Sequence, residues 1–237
     1  MVIAVRALLF DVMGTVVDWH GGVVAGLETW GAARGISADW AKFCIECHAA
    51  FPPLRAEVNT GKRAWANFDE LLREALESQF PKLGLTELNQ KDLDELVALW
   101  HAMPPWPDSV AAMQRLRRRY ILSTLSNAHV AMLIDMAKAA GLPWDAIVGV
   151  DLFHRYKPAP ETYLGATALL GCQPGQVMLV ASHPYDLAAA AKCGLRTCYV
   201  SRPLEYGAGI AFEAPPKPGQ CDLIVGDLGK LADLMEC

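Results

Sequence analysis

Asp11 is the first residue whose type and position could do chemistry. It ends the apolar run Ala7–Phe10, which is typical of a strand buried on both faces. A carboxylate at the carboxyl end of such a strand lies where open α/β sheets bind their ligands. Gly14 lets the chain turn and brings backbone N–H groups close to that place. The pattern favours a nucleophilic carboxylate, and an aspartate that only caps a turn has the same local pattern.

Three further polar positions stand near the ends of apolar runs. Ser126 and Asn127 follow one such run, Lys157 precedes a proline-led helix pattern, and Asp186 follows a second run. Taken singly, the first pair could be a helix N-cap and the lysine a surface residue. Because the carboxyl ends of parallel strands meet at one edge of a sheet, we expect these side chains to converge with Asp11 on one pocket.

The elements that must position these residues alternate along the chain. Besides the first run, strands are predicted over 120–124, 146–150, 177–181, 196–200 and 222–225. Helices are predicted over 108–118, 128–140, 160–170 and 187–193. This βαβ series predicts an α/β fold with a Rossmann-like, doubly wound parallel sheet.

An all-helical insertion is predicted between the first strand and the next. Helix-like patterns occupy 24–34, 38–49, 66–80 and 89–101, and a proline-rich run over 103–107 marks the return to the sheet. An insertion directly after Asp11 would form a lid over the site. We therefore predict a core domain of residues 1–16 and 103–237 and a helical cap of residues 17–102.

Composition narrows the possible partners. The chain has 237 residues, a net charge of −5 and a pI near 5.7, which offers no global attraction to nucleic acid or anionic membranes. No apolar stretch approaches a membrane span and no signal peptide is evident, so a cytoplasmic protein is expected. The seven cysteines are expected to be reduced. The C-x-x-C-H pattern at Cys44–His48 matches haem attachment, but without an export signal it is interpreted as coincidence.

Four motifs, taken together, resemble those of the haloacid dehalogenase (HAD) superfamily in order and spacing. They are Asp11-x-x-Gly14-Thr15, Ser126-Asn127, Lys157-Pro158 and Ser182-x-x-x-Asp186. Segments 141–145, 151–153 and 202–207 are similar to the 2-haloacid dehalogenase (type II) branch. The resemblance implies a HAD core with an inserted helical cap and, by analogy with relatives, a homodimer formed through the cap.

The resemblance also implies a hydrolase mechanism. Asp11 would displace halide from C2 of a small 2-haloacid, and water would hydrolyse the ester to a 2-hydroxy acid. Lys157 would keep Asp11 ionised, and Asp186 would position Lys157 and help to activate the water. Thr15 completes the implied catalytic set. The implied substrate-binding residues are Met13, His48, Ser126, Asn127, Tyr163 and His183.

The residue two positions after the nucleophile distinguishes a dehalogenase from a phosphatase. HAD phosphatases carry a second aspartate there as a general acid, and this chain has Met13. The fourth motif is also poor in the extra carboxylates that would complete a Mg²⁺ site. We therefore expect no cofactor, with Mg²⁺ as the alternative. Halide leaves as a stable anion without a proton, so Met13 does not hinder dehalogenation.

His48 departs from the pattern of the branch. Relatives use a cap arginine to hold the departing halide, and alignment on Val58 and Gly61 puts His48 at that place. Lys42 and Arg55 stand on the same segment and could supply the cation instead. Three hypotheses remain at this point: a 2-haloacid dehalogenase, a HAD phosphatase acting through aspartyl-phosphate, and a catalytically idle HAD-fold protein.

Overall fold

The protein is built around a parallel five-stranded sheet. The computed structural model describes residues 5–84, 88–210 and 213–237, so the first four residues of the predicted core lie outside it. The strands are β1 (Ala7–Phe10), β2 (Ile121–Thr124), β3 (Val177–Ala181), β4 (Arg196–Val200) and β5 (Leu223–Val225). Their order is β2-β1-β3-β4-β5, and all neighbours are parallel. The chain runs from β1 to β2 on one side of it and then crosses to β3 on the other side. The carboxyl ends of β1 and β3 therefore flank a topological switch point.

Helices cover both faces of the sheet. The nine described α-helices are α1 (Trp19–Ala32), α2 (Trp40–Asn59), α3 (Phe68–Gln79), α4 (Gln90–Leu99), α5 (Ser109–Leu116), α6 (Val130–Ala140), α7 (Pro160–Leu169), α8 (Pro184–Lys192) and α9 (Leu228–Leu234). Leu8 and Phe10 of β1 pack on the side of α5, α6 and α9, while Ala7 and Leu9 face α7 and α8. This alternation confirms the predicted doubly wound α/β core.

Helices α1 to α4 form the inserted cap between β1 and β2. Its core is aromatic, with Trp30, Trp40, Phe43, Phe51 and Trp100 all buried. The predicted boundaries at residues 17 and 102 fall just outside α1 and α4, and as domain limits they stay a prediction. None of the helices in the described ranges is long and apolar enough to cross a membrane.

Helix α2 runs ten residues beyond the predicted 38–49, to Asn59. Pro52 and Pro53 stand inside it, and a proline normally ends a helix because it lacks an N–H donor and crowds the preceding turn. The helix nevertheless continues, and its buried face extends from Phe51 to Val58. Packing against the cap has overridden the local signal. The extension carries Arg55 and Asn59 to the mouth of the site.

The strand predicted over 146–150 is wrong. That segment makes only two isolated bridges, one to β2 at Ser123–Ala146 and one just beyond the end of β2 at Ser126–Gly149. Between them the Thr124 hydroxyl takes the place of the backbone ladder, because its Oγ1 accepts from Val148 N (2.7 Å) and donates to Val148 O (2.9 Å). The helix predicted over 187–193 begins earlier, at Pro184, which places Asp186 in its first turn.

Candidate active site

The Asp11 carboxylate is held by three donors from different parts of the core. Lys157 Nζ lies 2.8 Å from Oδ1, while Thr15 Oγ1 and His183 Nδ1 lie 2.9 and 3.0 Å from Oδ2. The Asp11 backbone N–H donates to Val180 O, which ties the end of β1 to β3. This arrangement fixes the side chain at the switch point of the sheet. Oδ1 accepts one hydrogen bond and Oδ2 two, so Oδ1 keeps more of its lone-pair density available.

Lys157 is shared between two carboxylates. Its ammonium also donates to Asp186 Oδ2 at 2.5 Å, and Asp186 Oδ1 accepts from the Tyr163 hydroxyl at 2.5 Å. The Lys157 backbone N–H donates to Asn127 Oδ1 at 2.8 Å. Both oxygens of Asp186 are therefore occupied, and its side chain is fully buried. Asp186 and Tyr163 act as a support that fixes the lysine.

The charges around Asp11 keep it ionised. Burial alone would raise the pKa of Asp11, but the Lys157 ammonium and the hydrogen bond and charge of His183 outweigh it and hold that pKa well below its usual range. Burial would lower the pKa of Lys157, and the charges of Asp11 and Asp186 raise it instead. The pair is thus an ionised carboxylate beside an ammonium, which is the state a carboxylate nucleophile needs.

His183 joins Asp11 to a carboxylate that the sequence analysis did not single out. Its Nε2 lies 2.8 Å from Glu205 Oε1. Burial opposes protonation of His183, but Glu205 and Asp11 raise its pKa well above the ordinary value. His183 is therefore an imidazolium at neutral pH that donates to both carboxylates. Tyr185 is the ring nearest to it on α8.

Glu205 is buried beside the Asp11 loop. It accepts from Trp19 Nε1 (3.2 Å) and Ser182 Oγ (3.1 Å) as well as from His183. A Cβ at Gly14 would overlap this carboxylate, so the glycine makes room for it and also adopts a positive φ of 83°. In the sequence, segment 202–207 is notable only for its similarity to the 2-haloacid dehalogenase branch. The local sequence does not indicate that this loop glutamate is buried, because its burial depends only on tertiary contacts.

A cavity of about 470 Å³ opens between the core and the cap over these groups. Its walls include Asp11, Met13, Ser126, Asn127, Lys157 and His183 from the core. Ser126 Oγ is buried and has no hydrogen-bond partner among the residues described. A buried hydroxyl without a partner is costly, so a ligand in the cavity is the natural acceptor for its proton.

The cap closes the cavity with His48 and Arg55 of α2. His48 stacks on Trp19 with ring centroids 4.5 Å apart. Burial, together with the positive charge of Arg55, lowers the pKa of His48 to about 3. His48 is therefore neutral at physiological pH and brings no charge to the cavity. Of the two other cations considered above, Arg55 lines the cavity, whereas Lys42 is exposed and pairs with Glu46.

The predicted site residues separate into two layers. Six of them line the cavity together with His48, as described above. Thr15, Tyr163 and Asp186 lie behind the wall, and all three are fully buried. The expectation that Tyr163 touches substrate is therefore corrected, because its hydroxyl is used on Asp186.

The residues between Asp11 and Asp186 do not fit a divalent cation. The two carboxylates are the groups that would hold Mg²⁺, and the Lys157 ammonium bonds to both at 2.8 and 2.5 Å. A metal at the same place would stand against a buried positive charge. The fourth motif supplies Ser182 and His183 where further carboxylate ligands would be needed.

Comparison with known proteins agrees with this architecture. The sequence profile of the haloacid dehalogenase-like hydrolases matches residues 5–194. A solved L-2-haloacid dehalogenase is 38% identical and superposes with a TM-score of 0.94, covering 98% of this chain and 99% of that one. A defluorinating L-2-haloacid dehalogenase of known structure is also 38% identical, with a TM-score of 0.94 and coverage of 98% and 96%.

A characterised relative shows the same similarity in sequence. The (S)-2-haloacid dehalogenase 4A of Burkholderia cepacia is 31% identical over 214 residues, which are 87% of this chain and 88% of that protein. A Rossmann-like core with a helical cap above Asp11 defines a hydrolase of the HAD type. The chain belongs to the haloacid dehalogenase-like hydrolase family.

Proposed function

We propose that this protein hydrolyses the carbon–halogen bond of small 2-haloacids, giving a 2-hydroxy acid and halide through an ester on Asp11. The observation that carries the proposal is the Asp11 carboxylate, ionised by Lys157 and facing a cavity between cap and core in which position 13 is Met rather than an acid. The activity of the relatives, (S)-2- and L-2-haloacid dehalogenases, supports the same reaction.

In the first half-reaction, Asp11 Oδ1 attacks C2 of the haloacid. The C–O bond forms as the C–halogen bond breaks, and the halide leaves with the bonding electron pair. Lys157 and His183 keep the carboxylate ionised without protonating it. Arg55 is the cation of the cap wall that can face the departing halide, while His48 is neutral and adds no charge there.

In the second half-reaction, water attacks the carbonyl carbon of the Asp11 ester. Esterification removes the charge of Asp11, which is one of the two carboxylates that raise the pKa of His183. With that charge gone, His183 can release the Nδ1 proton that faced Asp11 to solvent, and the neutral imidazole, still held by Glu205, can take a proton from the attacking water. The second proton of the water passes to the alkoxide of the product, and Asp11 returns to its carboxylate, so that one proton in all is released to solvent. Asp186 positions Lys157 in this scheme, because both of its oxygens are already occupied.

The substrate carboxylate is assigned to the edge formed by Ser126 and Asn127. The Ser126 hydroxyl is a buried donor waiting for an acceptor, and both residues stand on the wall opposite the cap. A carboxylate held there would have its C2 directed towards Asp11. Met13 supplies an apolar surface at the same wall, which suits a short carbon chain.

A halide-release assay with chloroacetate, fluoroacetate and L-2-chloropropionate tests the proposal. It is run beside a generic phosphate monoester, with added Mg²⁺ and with EDTA. We expect halide release that survives EDTA, because Lys157 takes the place between the two carboxylates. Turnover of the phosphate ester that requires Mg²⁺ would favour the phosphatase hypothesis, and no turnover of any substrate would favour an idle fold.

The cofactor-independent reaction and a homodimer formed through the cap both stay proposals. Light scattering on the purified protein measures the second. A single species of about twice the 25.8 kDa chain mass is expected. A monomer at working concentration would contradict it.

A further inference from the structure

A cluster of two histidines and one aspartate lies at the seam between cap and core, apart from the active site. Asp69 belongs to α3 of the cap, His101 to the segment that returns from the cap, and His129 to the N-terminus of α6 in the core. None of the three lines the active-site cavity. The family motifs do not include them.

The three side chains are spaced like the ligands of a small metal ion. His101 Nε2 lies 3.1 and 3.3 Å from the two Asp69 oxygens, and His129 Nε2 lies 3.6 Å from Asp69 Oδ2. One ligand atom from each lies within 4.8 Å of the others. Tetrahedral Zn²⁺ with bonds of about 2.0–2.1 Å separates its ligands by about 3.3 Å. The Asp69–His101 and Asp69–His129 separations of 3.1 and 3.6 Å are therefore within about 0.3 Å of the spacing that Zn²⁺ requires.

The His129 ring is 9% exposed and makes no hydrogen bond in the part of the chain described. Its Nε2, the atom that would bind the ion, faces Asp69 from 3.6 Å, beyond hydrogen-bond distance. Its Nδ1 lies on the other side of the ring and is not part of the proposed ligand set. An internal hydrogen-bond network would have used this ring. His101 and Asp69 already bond to each other, and that bond does not account for a third, unbonded ring beside them.

Asp135 supports the cluster from the core side. Its Oδ2 lies 2.8 Å from His101 Nδ1, so Asp135 can hold a proton on Nδ1 while Nε2 gives up the proton that it shares with Asp69 and binds the ion instead. This carboxylate–histidine arrangement is the usual support of a metal-bound imidazole. A surface depression of about 390 Å³, lined by Asp69, His101 and Asp135, gives access from solvent.

We propose that Asp69, His101 and His129 form a binding site for one divalent transition metal ion of the Zn²⁺ class, with water in the remaining position. Two imidazoles and one carboxylate are ligands that such ions prefer over Mg²⁺ or Ca²⁺. Because the ligands come from both domains, the ion would join the cap to the core beside the returning segment.

Titration of the purified, chelator-treated full chain with Co²⁺ tests the site. We expect one Co²⁺ per chain with visible ligand-field bands, competition by Zn²⁺, and a rise of Tm on adding Zn²⁺. His129→Asn and Asp69→Asn should each weaken binding at least about tenfold, and Asp135→Ala about tenfold, because it removes the hydrogen bond that orients the His101 ring. His154→Asn is the matched control, because it removes an unrelated histidine at a positive φ that asparagine tolerates.

Two results would overturn the proposal. One is binding that is unchanged in His129→Asn and Asp69→Asn, which would indicate adventitious sites. The other is Co²⁺ absorption dominated by thiolate charge transfer, which would place the ion on the free cysteines. Two ligand variants on different domains guard against a folding defect, since circular dichroism will show which of them remain native. The readout is metal binding, so its failure leaves the dehalogenase proposal untouched.

Discussion

At the scale of single residues, the site is a buried charge array of two cations and three carboxylates. Asp11 and Asp186 share Lys157, and Asp11 and Glu205 share His183. Each cation therefore bonds to Asp11 and to one supporting carboxylate. Such an array keeps the buried nucleophile ionised, and it makes the protonation of each member depend on its neighbours.

Removal of one supporting charge should move the pH profile. Glu205→Gln keeps the size of the side chain but lowers the raised pKa of His183, since Glu205 is a main cause of that shift. Imidazolium is then lost at lower pH, so the basic limb of kcat/KM for chloroacetate should move to lower pH. A kcat loss of about a hundredfold is expected if the pair also serves as general base.

The exposed Glu213, which lines the same cavity, provides the control for this experiment. Glu213→Gln removes an equal charge that makes no contact with His183 among the hydrogen bonds of the site. Its basic limb should move much less than that of Glu205→Gln. Equal shifts in the two variants would show that the general field of the cavity, rather than the contact, sets the profile.

The unpartnered Ser126 hydroxyl makes a prediction that combines binding and stability. Ser126→Ala should raise KM at least about tenfold, since one hydrogen bond to a charged group is worth roughly 1.5 kcal/mol or more. It should not lower Tm, because no internal hydrogen bond is lost. Ser109→Ala is the matched control: its buried Oγ donates to Val16 O at 2.7 Å, so Tm should fall while KM stays unchanged. A large stability loss in Ser126→Ala would refute the assignment.

At the scale of elements, hydrophobic patterning predicted most of the core. The runs at β3 and β4 were placed at the observed bounds, 177–181 and 196–200. The predictions that are wrong or missing concern segments whose structure is not determined by their own hydrophobic pattern. Segment 146–150 looks like a strand because it is apolar, yet the Thr124 side chain replaces its ladder. Helix α9 was missed because its seven residues are too short for a clear period.

The role of Thr124 can be measured by its loss. Thr124→Val removes both hydrogen bonds to Val148 and leaves a buried N–H and C=O unpaired, so the free energy of unfolding should fall by about 1–3 kcal/mol. Thr167→Val is the control, since that buried hydroxyl donates only to the Tyr163 carbonyl inside α7. Urea unfolding of both variants gives the comparison. Equal losses would mean that the Thr124 contact has no special weight in holding the segment.

At the scale of the whole molecule, the cap and the core meet through specific polar contacts as well as apolar packing. Asn59 of the cap donates to Tyr156 O at 2.9 Å and accepts from Tyr156 N at 2.8 Å. The Tyr156 hydroxyl returns to Ala66 O of the cap at 2.7 Å. The sequence predicted a lid over Asp11, but the pairing between its far end and the Lys157 loop needed the three-dimensional structure.

Weakening this contact should loosen the lid. Asn59→Ala removes two hydrogen bonds worth about 1 kcal/mol each, so KM for chloroacetate should rise up to about tenfold, with faster proteolysis of the cap. Asn67→Ala is the control, because Asn67 caps α3 inside the cap and does not touch the core. It should lower Tm with little change in KM. Parallel KM changes in both variants would argue that general destabilisation is responsible.

The central claim is that Asp11 forms a covalent ester with the substrate. Single-turnover hydrolysis of chloroacetate by excess enzyme in ¹⁸O-water tests it directly. The account predicts that the label enters the Asp11 carboxylate, seen as a mass increase of the peptide that contains Asp11, while the first 2-hydroxy acid released is unlabelled. Label in the product of the first turnover, with an unlabelled Asp11 peptide, would mean that water attacks the substrate directly and would contradict the account.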